Sequence, residues 1–211
     1  MKKALIFDLD GTLWDSAKQV VLAWNEVFAK RGTGIVIDEA IMMSYMGKPM
    51  SDIIAGMAPD MEVNAREDLL AACCEEEQKR LEQYGGILFP HLEETLAMLK
   101  EDYPMAVVSN CQAGYIETFV RYHKLEAYFQ DMECPGNTGK LKADNIRLVM
   151  QRNHWDTAIY IGDTQGDLDA SREAGIPFIF ARYGFGQVDD ESLAIDSIAE
   201  LPELLKELGV S

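Results

Sequence analysis

Five short apolar runs, with helical periodicity between the later ones, constrain this chain more than any other feature of it. They are 3–8 (KALIFD), 104–109 (PMAVVS), 128–134 (YFQDMEC), 157–162 (TAIYIG) and 176–181 (IPFIFA), the third being the least apolar. Runs of this length with little polar alternation read as strands buried on both faces. Leu92, Leu96 and Leu99 share a helical face, as do Ile116, Phe119 and Val120, then Ile146, Val149 and Met150, and finally Ile198, Leu201, Leu205 and Leu208. Strand alternating with helix implies an α/β architecture, a doubly wound, Rossmann-like parallel sheet with helices on both faces.

From about residue 15 to 86 the rhythm breaks. This interval holds no convincing strand, and its amphipathic stretches predict three or four helices. One carries Val20, Val21, Trp24, Val27 and Phe28, and another lies around Leu69 to Leu81. The expected organisation is a core from residues 1–14 and 87–211 with a helical cap, 15–86, inserted after the first strand. Hinges are expected near Asp15 and Gly85-Gly86. Met42, Met43, Met46, Met50 and Met57 are expected to fill the cap interior first and to face a ligand second.

With 211 residues, 48% hydrophobic and 26% charged, the chain reads as globular and large enough for a full core. A net charge of −17 excludes nucleic-acid backbones and anionic membranes as partners, because both need a basic face. The apolar residues Ala4 to Phe7 before Asp8 are too few for a signal-peptide core, and no apolar run reaches the roughly 18 residues of a membrane span. Cys73, Cys74, Cys111 and Cys134 form no C-x-x-C pair, so reduced thiols and a cytoplasmic location are expected. A monomer or a homodimer is expected. His91, His123 and His154 show no metal-ligand spacing.

Open parallel sheets bind ligands beyond the carboxyl ends of their strands. The first run ends in Asp8, Asp10 and Thr12, the second in Ser109 and Asn110, and the fourth in Gly162-Asp163 through Asp167; Lys140 and Lys142 stand before the helix that precedes the fourth. An Asp-Gly turn would be satisfied by Asp10 and Gly11, whereas Asp8 lies where the apolar pattern is still running. In extended chain, Asp8 and Asp10 leave the same face. Carboxylates converging on one point repel one another by on the order of 4 kcal/mol per pair at about 4 Å and an effective dielectric near 20. Such a cluster calls for a cation, and Mg²⁺ suits hard oxygen ligands shared with water and phosphate. An Asp carboxylate can then act as a nucleophile on phosphorus.

With these motifs in order, the sequence resembles the haloacid dehalogenase superfamily, in its capped phosphatase branch of the phosphoglycolate phosphatase-like type. The motifs are Asp8-Leu9-Asp10-Gly11-Thr12, Ser109 closing a strand, a lysine at a helix start, and Gly162-Asp163 through Asp167. The resemblance implies Asp8 as nucleophile and Asp10 as general acid and base. It implies Mg²⁺ held by Asp8, the Asp10 main-chain carbonyl and Asp163, with Asp167 in or just behind that shell. Ser109 would bind a phosphoryl oxygen, helped by backbone N–H groups near Leu9 and Asn110, and the lysine would neutralise charge. Relatives often carry a K-P-x-P entrance for the lysine, which this chain lacks; Lys142 is favoured over Lys140 because it directly precedes the Ala-Asp-Asn helix start. The implied substrate is a small phosphorylated metabolite. Thr12, Asn110, Trp14 and Lys48, with Lys18 and the Met46-Gly47-Lys48-Pro49 turn, are candidates for substrate contact.

Rival readings fit less well. An EF-hand loop from Asp8 needs Gly where Leu13 stands and Glu where Gln19 stands; from Asp163 it meets Leu168 and Ala174 instead. A phosphomutase using the same aspartyl intermediate is the alternative enzyme, with Thr12 after Asp-Gly favouring hydrolysis. A receiver-like phospho-acceptor protein would be shorter and would lack the long insertion. The Gly184-Phe185-Gly186 loop alone is too weak a signal for a phosphate cradle.

Overall fold

A computed structural model describes residues 3–209. The elements run β1 (Lys3–Phe7), β2 (Trp14–Asp15), α1 (Ala17–Arg31), α2 (Glu39–Met43), α3 (Met50–Met57), α4 (Val63–Tyr84), β3 (Ile87–Leu88), α5 (Leu92–Leu99), β4 (Met105–Val108), α6 (Tyr115–His123), β5 (Asp131–Glu133), α7 (Pro135–Thr138), α8 (Lys142–Arg152), β6 (Thr157–Gly162), α9 (Gln165–Ala174), β7 (Phe178–Ala181), β8 (Ala194–Ile195) and α10 (Leu201–Glu207). Six strands form one sheet in the order β5-β4-β1-β6-β7-β8, and every neighbouring pair is parallel.

Alternation along β1 shows why both faces are covered. Leu5 and Phe7 join Leu96, Phe119 and Leu201 from α5, α6 and α10 in one cluster. Ala4 and Ile6 join Ile146, Val149 and Leu168 from α8 and α9 in another. The apolar run is continuous because neither face meets water. Three features differ from expectation. A 3₁₀ turn at Glu126–Tyr128 takes up the front of the third run, so β5 is only three residues long. The edge strand β8, two residues long, is too short to carry any periodicity in sequence. The final helical pattern also splits into a 3₁₀ turn and α10, leaving Leu208 exposed.

The inserted interval forms the four helices α1–α4, with their own cluster of Val20, Trp24, Phe28, Met42, Ile54 and Leu69. Met46, Met50 and Met57 pack against it from partly buried positions. Both chain crossings run through a two-residue antiparallel ribbon that pairs Trp14 with Leu88 and Asp15 with Ile87. The ribbon closes the two ends of the interval, and its two-residue strands are too short to leave a periodic signal in the sequence. Among the described residues no helix is long and apolar enough to cross a membrane.

Since the cap has a separate core, damage there should remain local. Phe28→Ala removes a fully buried ring from that core and should cost about 3–5 kcal/mol. Urea unfolding measures the loss. Native-state hydrogen exchange should show α1 and α4 amides losing protection while those of β1, β4 and β6 keep theirs.

Candidate active site

The three central strands end together. Phe7 lies level with Val107 of β4 and Ile161 of β6, and the next amide, Asp8 N–H, still donates to the Ile161 carbonyl at 2.8 Å. Asp8 is thus held by sheet hydrogen bonding although it is already past the last strand residue. Two residues beyond Val107 and Ile161 stand Ser109 and Asp163, both buried. One side-chain oxygen from each of Asp8, Asp163 and Asp167 lies within 4.8 Å of the other two.

Lys142, the first residue of α8, reaches into this cluster and is itself buried. Its Nζ donates to Asp8 Oδ1 at 2.8 Å and to Asp167 Oδ1 at 2.6 Å. Lys140 is exposed. The structure therefore brings Lys142 to the acids and leaves Lys140 in solvent. Burial alone would lower the Lys142 ammonium; the Asp167 and Asp8 carboxylates outweigh it and hold it above its ordinary value. Burial pushes Asp8 upward, with the Asp167 charge adding to it and Lys142 opposing. Asp163 is raised for the same reasons, burial first and then Asp167 and Asp8. Asp8 Oδ2 is buried without a hydrogen-bond donor among the described residues.

Asp167 is engaged on both oxygens. While Oδ1 takes Lys142, Oδ2 accepts from Thr164 N at 2.9 Å, Thr164 Oγ1 at 2.7 Å and Asp163 N at 3.2 Å. It forms a capping box with Thr164 at the start of α9. Asp163 accepts from Thr12 Oγ1 at 3.3 Å and from the Phe185 amide at 2.7 Å. The Gly184-Phe185-Gly186 loop thus supports an acid. It comes so close that a Cβ at Gly184 would lie 2.3 Å from Asp163 Cβ. Gly11 is equally constrained: its φ is +83° and a Cβ there would lie 2.1 Å from Asp163 Oδ2.

The Asp10 carboxylate stands apart from the cluster. Its Oδ1 accepts from Ser16 Oγ at 2.5 Å, Trp14 Nε1 at 2.9 Å and Tyr115 hydroxyl at 2.9 Å. Burial raises Asp10 to about 6, against the lowering effect of those three bonds. Two sequence expectations are corrected here. Trp14 does not face a substrate: its ring is fully buried, edge-on to Tyr115 and Phe119, and its N–H orients Asp10. Thr12 is also fully buried, and its hydroxyl is committed to Asp163.

A narrow cleft between cap and core, with a cavity volume of about 30 Å³, opens beside Asp10 and Ser109. Asn110 and Lys48 line it; the Asn110 amide donates to the Gly47 carbonyl at 2.9 Å, which joins the core to the Met46–Pro49 turn. Lys48 is exposed, with its ammonium over the Tyr45 ring. Lys18 is exposed and takes no part in lining the cleft, a further correction. Met42, Met46 and Met50 line the cleft as well as packing the cap.

Sequence reasoning missed Ser16, Tyr115, Tyr160, Glu77 and Gln112. Tyr160 looks like one more strand residue, yet its hydroxyl donates to the Val108 carbonyl at 2.6 Å and lies 3.5 Å from Asp8 Oδ1. Glu77 carried a usable signal. It falls on the stripe Leu69, Cys73, Glu77, Leu81, the buried face of α4, so a charge occupies an apolar position.

The haloacid dehalogenase-like hydrolase family model matches residues 5–181. A phosphoglycolate phosphatase from Cupriavidus necator is 27% identical over 214 residues, spanning 96% of this chain and 92% of that protein. An N-acetylmuramic acid 6-phosphate phosphatase from Pseudomonas putida is 26% identical over 193 residues, spanning 89% and 86%. A haloacid dehalogenase-like family hydrolase from Streptococcus pneumoniae has the same fold, with a TM-score of 0.83 at 23% identity over 96% of this chain and 97% of that one. With the matched region running from the first strand through the motif acids to the end of β7, the chain belongs to the haloacid dehalogenase-like hydrolase family, as a phosphatase of the phosphoglycolate phosphatase-like kind.

Proposed function

We propose that this phosphatase hydrolyses a small phosphate monoester through an aspartyl phosphate on Asp8, with Mg²⁺ as cofactor. The observation that carries this reading is Asp8 Oδ2, a buried carboxylate oxygen without a donor, beside an ammonium that fixes its sister oxygen. The residues present suit the cation. Three carboxylates against one ammonium leave two negative charges uncompensated (3 − 1 = 2), which a divalent ion balances, and the donors are hard oxygens. Asp8, Asp163 and the Asp10 main-chain carbonyl would hold it; Asp167, with both oxygens engaged, stands behind. When bound, Mg²⁺ supplies charge neutralisation between the phosphate and the carboxylates.

The chain's own residues account for the remaining chemistry. Lys142 holds Asp8 by Oδ1 and leaves Oδ2 to attack phosphorus. As the bond from phosphorus to the leaving oxygen breaks, Asp10 gives that oxygen its proton. Asp10 then takes a proton from water as the water oxygen attacks phosphorus, releasing inorganic phosphate and restoring Asp8. A carboxyl held near pH 6 can make both transfers close to neutrality. Ser109 supports a phosphoryl oxygen from the end of β4. Residues 15–86 act as a lid that excludes water, with the β2–β3 ribbon as its strap.

Three outcomes test this reading. Asp8→Asn should lower Mg²⁺-dependent turnover of p-nitrophenyl phosphate by at least about 10³-fold, and undiminished turnover would exclude Asp8 as the nucleophile. Tyr115→Phe removes a bond that lowers Asp10, so the limb of the kcat–pH profile that Asp10 governs should move to higher pH, with kcat down by about tenfold. The third outcome concerns stability without metal. Asp8 and Glu77 are raised in the folded state, so their contribution is complete below the ordinary carboxylate range and is lost as pH rises toward about 7. Mg²⁺ at about 100 times its dissociation constant should therefore raise Tm by about 5–10 °C at pH 8. At pH 5 the gain should be much smaller, because protons occupy the same oxygens.

A further inference from the structure

Two carboxyls, those of Asp10 and Glu77, and the side-chain amide of Gln112 stand among the residues that line the cleft. Glu77, on α4, is 3% exposed and lines the cleft along with Asp10. Its Oε2 accepts from Trp24 Nε1 at 2.5 Å, and its Oε1 accepts from Gln112 Nε2 at 2.8 Å. An indole nitrogen only donates, so this pairing fixes the carboxyl as an acceptor. Gln112 turns the other end of its amide to no partner: Oε1 is buried and unpaired among the described residues, on a residue that lines the same cleft. Lys48 is the one cation among the lining residues; it is exposed and sits over Tyr45 rather than beside Glu77.

Asp10 would deliver its proton to the leaving oxygen on this side of the cleft, so the group that departs must lie against Glu77 and Gln112. A leaving group with a carboxylate would set a second negative charge against a buried one and leave Gln112 Oε1 without a donor. Like charges brought together cost several kcal/mol, and an unpaired buried acceptor adds its own penalty. A hydroxyl satisfies both. Resting on the phosphatase reading above, we infer that Glu77 and Gln112 determine specificity: the substrate is the phosphate ester of a polyhydroxy alcohol or sugar, and phosphorylated carboxylic acids are rejected.

The test compares kcat/KM at pH 8 with Mg²⁺ for two groups of probes. One holds glycerol 3-phosphate, erythrose 4-phosphate and ribose 5-phosphate; the other holds 2-phosphoglycolate and 3-phosphoglycerate. The best polyol ester should exceed the best phosphocarboxylate by at least about tenfold. Glu77→Gln keeps the shape and removes the charge, so it should reduce that ratio by about tenfold. A ratio within one preparation does not change with the fraction folded, so a purely structural role for Glu77 would leave it unmoved. A wild-type preference for 2-phosphoglycolate or 3-phosphoglycerate overturns the inference without needing any variant, as does an unchanged ratio in Glu77→Gln. Failure of the phosphatase reading itself has a different signature, the absence of Asp8-dependent turnover of p-nitrophenyl phosphate.

Discussion

The buried ammonium of Lys142 is the contact on which the site depends. Asp8 and Asp167 both reach it, at 2.8 and 2.6 Å, in a region closed to water. Taking charges out of water costs several kcal/mol per ion, and their mutual attraction offsets this only when hydrogen bonding is nearly complete. Asp167 meets that condition with Lys142, Thr164 and the Asp163 amide. Asp8 does not, since one oxygen has no donor. The pair is stabilised unevenly, and the deficit falls on Asp8 Oδ2, the oxygen proposed to attack phosphorus. The same lysine begins α8, whose buried face of Ile146 and Val149 packs against the sheet, so packing sets the position of the charge.

A second dependency runs through Asp10. Its three donors come from separate parts of the chain: Trp14 in the strap strand β2, Ser16 just before the first cap helix, and Tyr115 at the start of α6. Two of the three lie where the chain leaves the core for the cap. A movement of the strap that displaced Trp14 and Ser16 would alter both the aim of the Asp10 carboxylate and its affinity for a proton. On the proposed function, cap position and the proton affinity of Asp10 would thereby be coupled through one carboxylate, by direct contact and without any relay between distant sites.

The layout of the fold was legible because its strongest signals are local. A parallel strand buried on both faces leaves a continuous apolar run, and β1, β4 and β6 are all readable that way. The acids Asp8, Asp163 and Asp167 were legible because charged residues at the ends of such runs have few structural reasons to be there. Partner choice was less legible. Nothing in the order of residues says that a tryptophan four positions after Asp10 turns its nitrogen back to it, or that Tyr115, 105 positions on, completes the same set. Proximity to Asp10 in sequence does not say which way Trp14 and Thr12 point. Their true direction follows from the bend after Asp10, where Leu13 N–H and Trp14 N–H both return to the Leu9 carbonyl.

Glu77 shows what such a reading can still gain. A leucine or methionine there would continue the α4 stripe and join the apolar cap interior at no desolvation cost. The chain instead carries a carboxyl that burial pushes up to about 7, and it supplies an indole and an amide to hold it. Locally, that arrangement opposes folding, because a buried acid must be kept bonded at every oxygen. Positions where a chain departs from its own pattern and then repairs the damage with dedicated donors are those where the departure has a use. Here the repaired position faces the cleft beside Asp10 and not the interior of the cap alone, so the use belongs to whatever the cleft encloses.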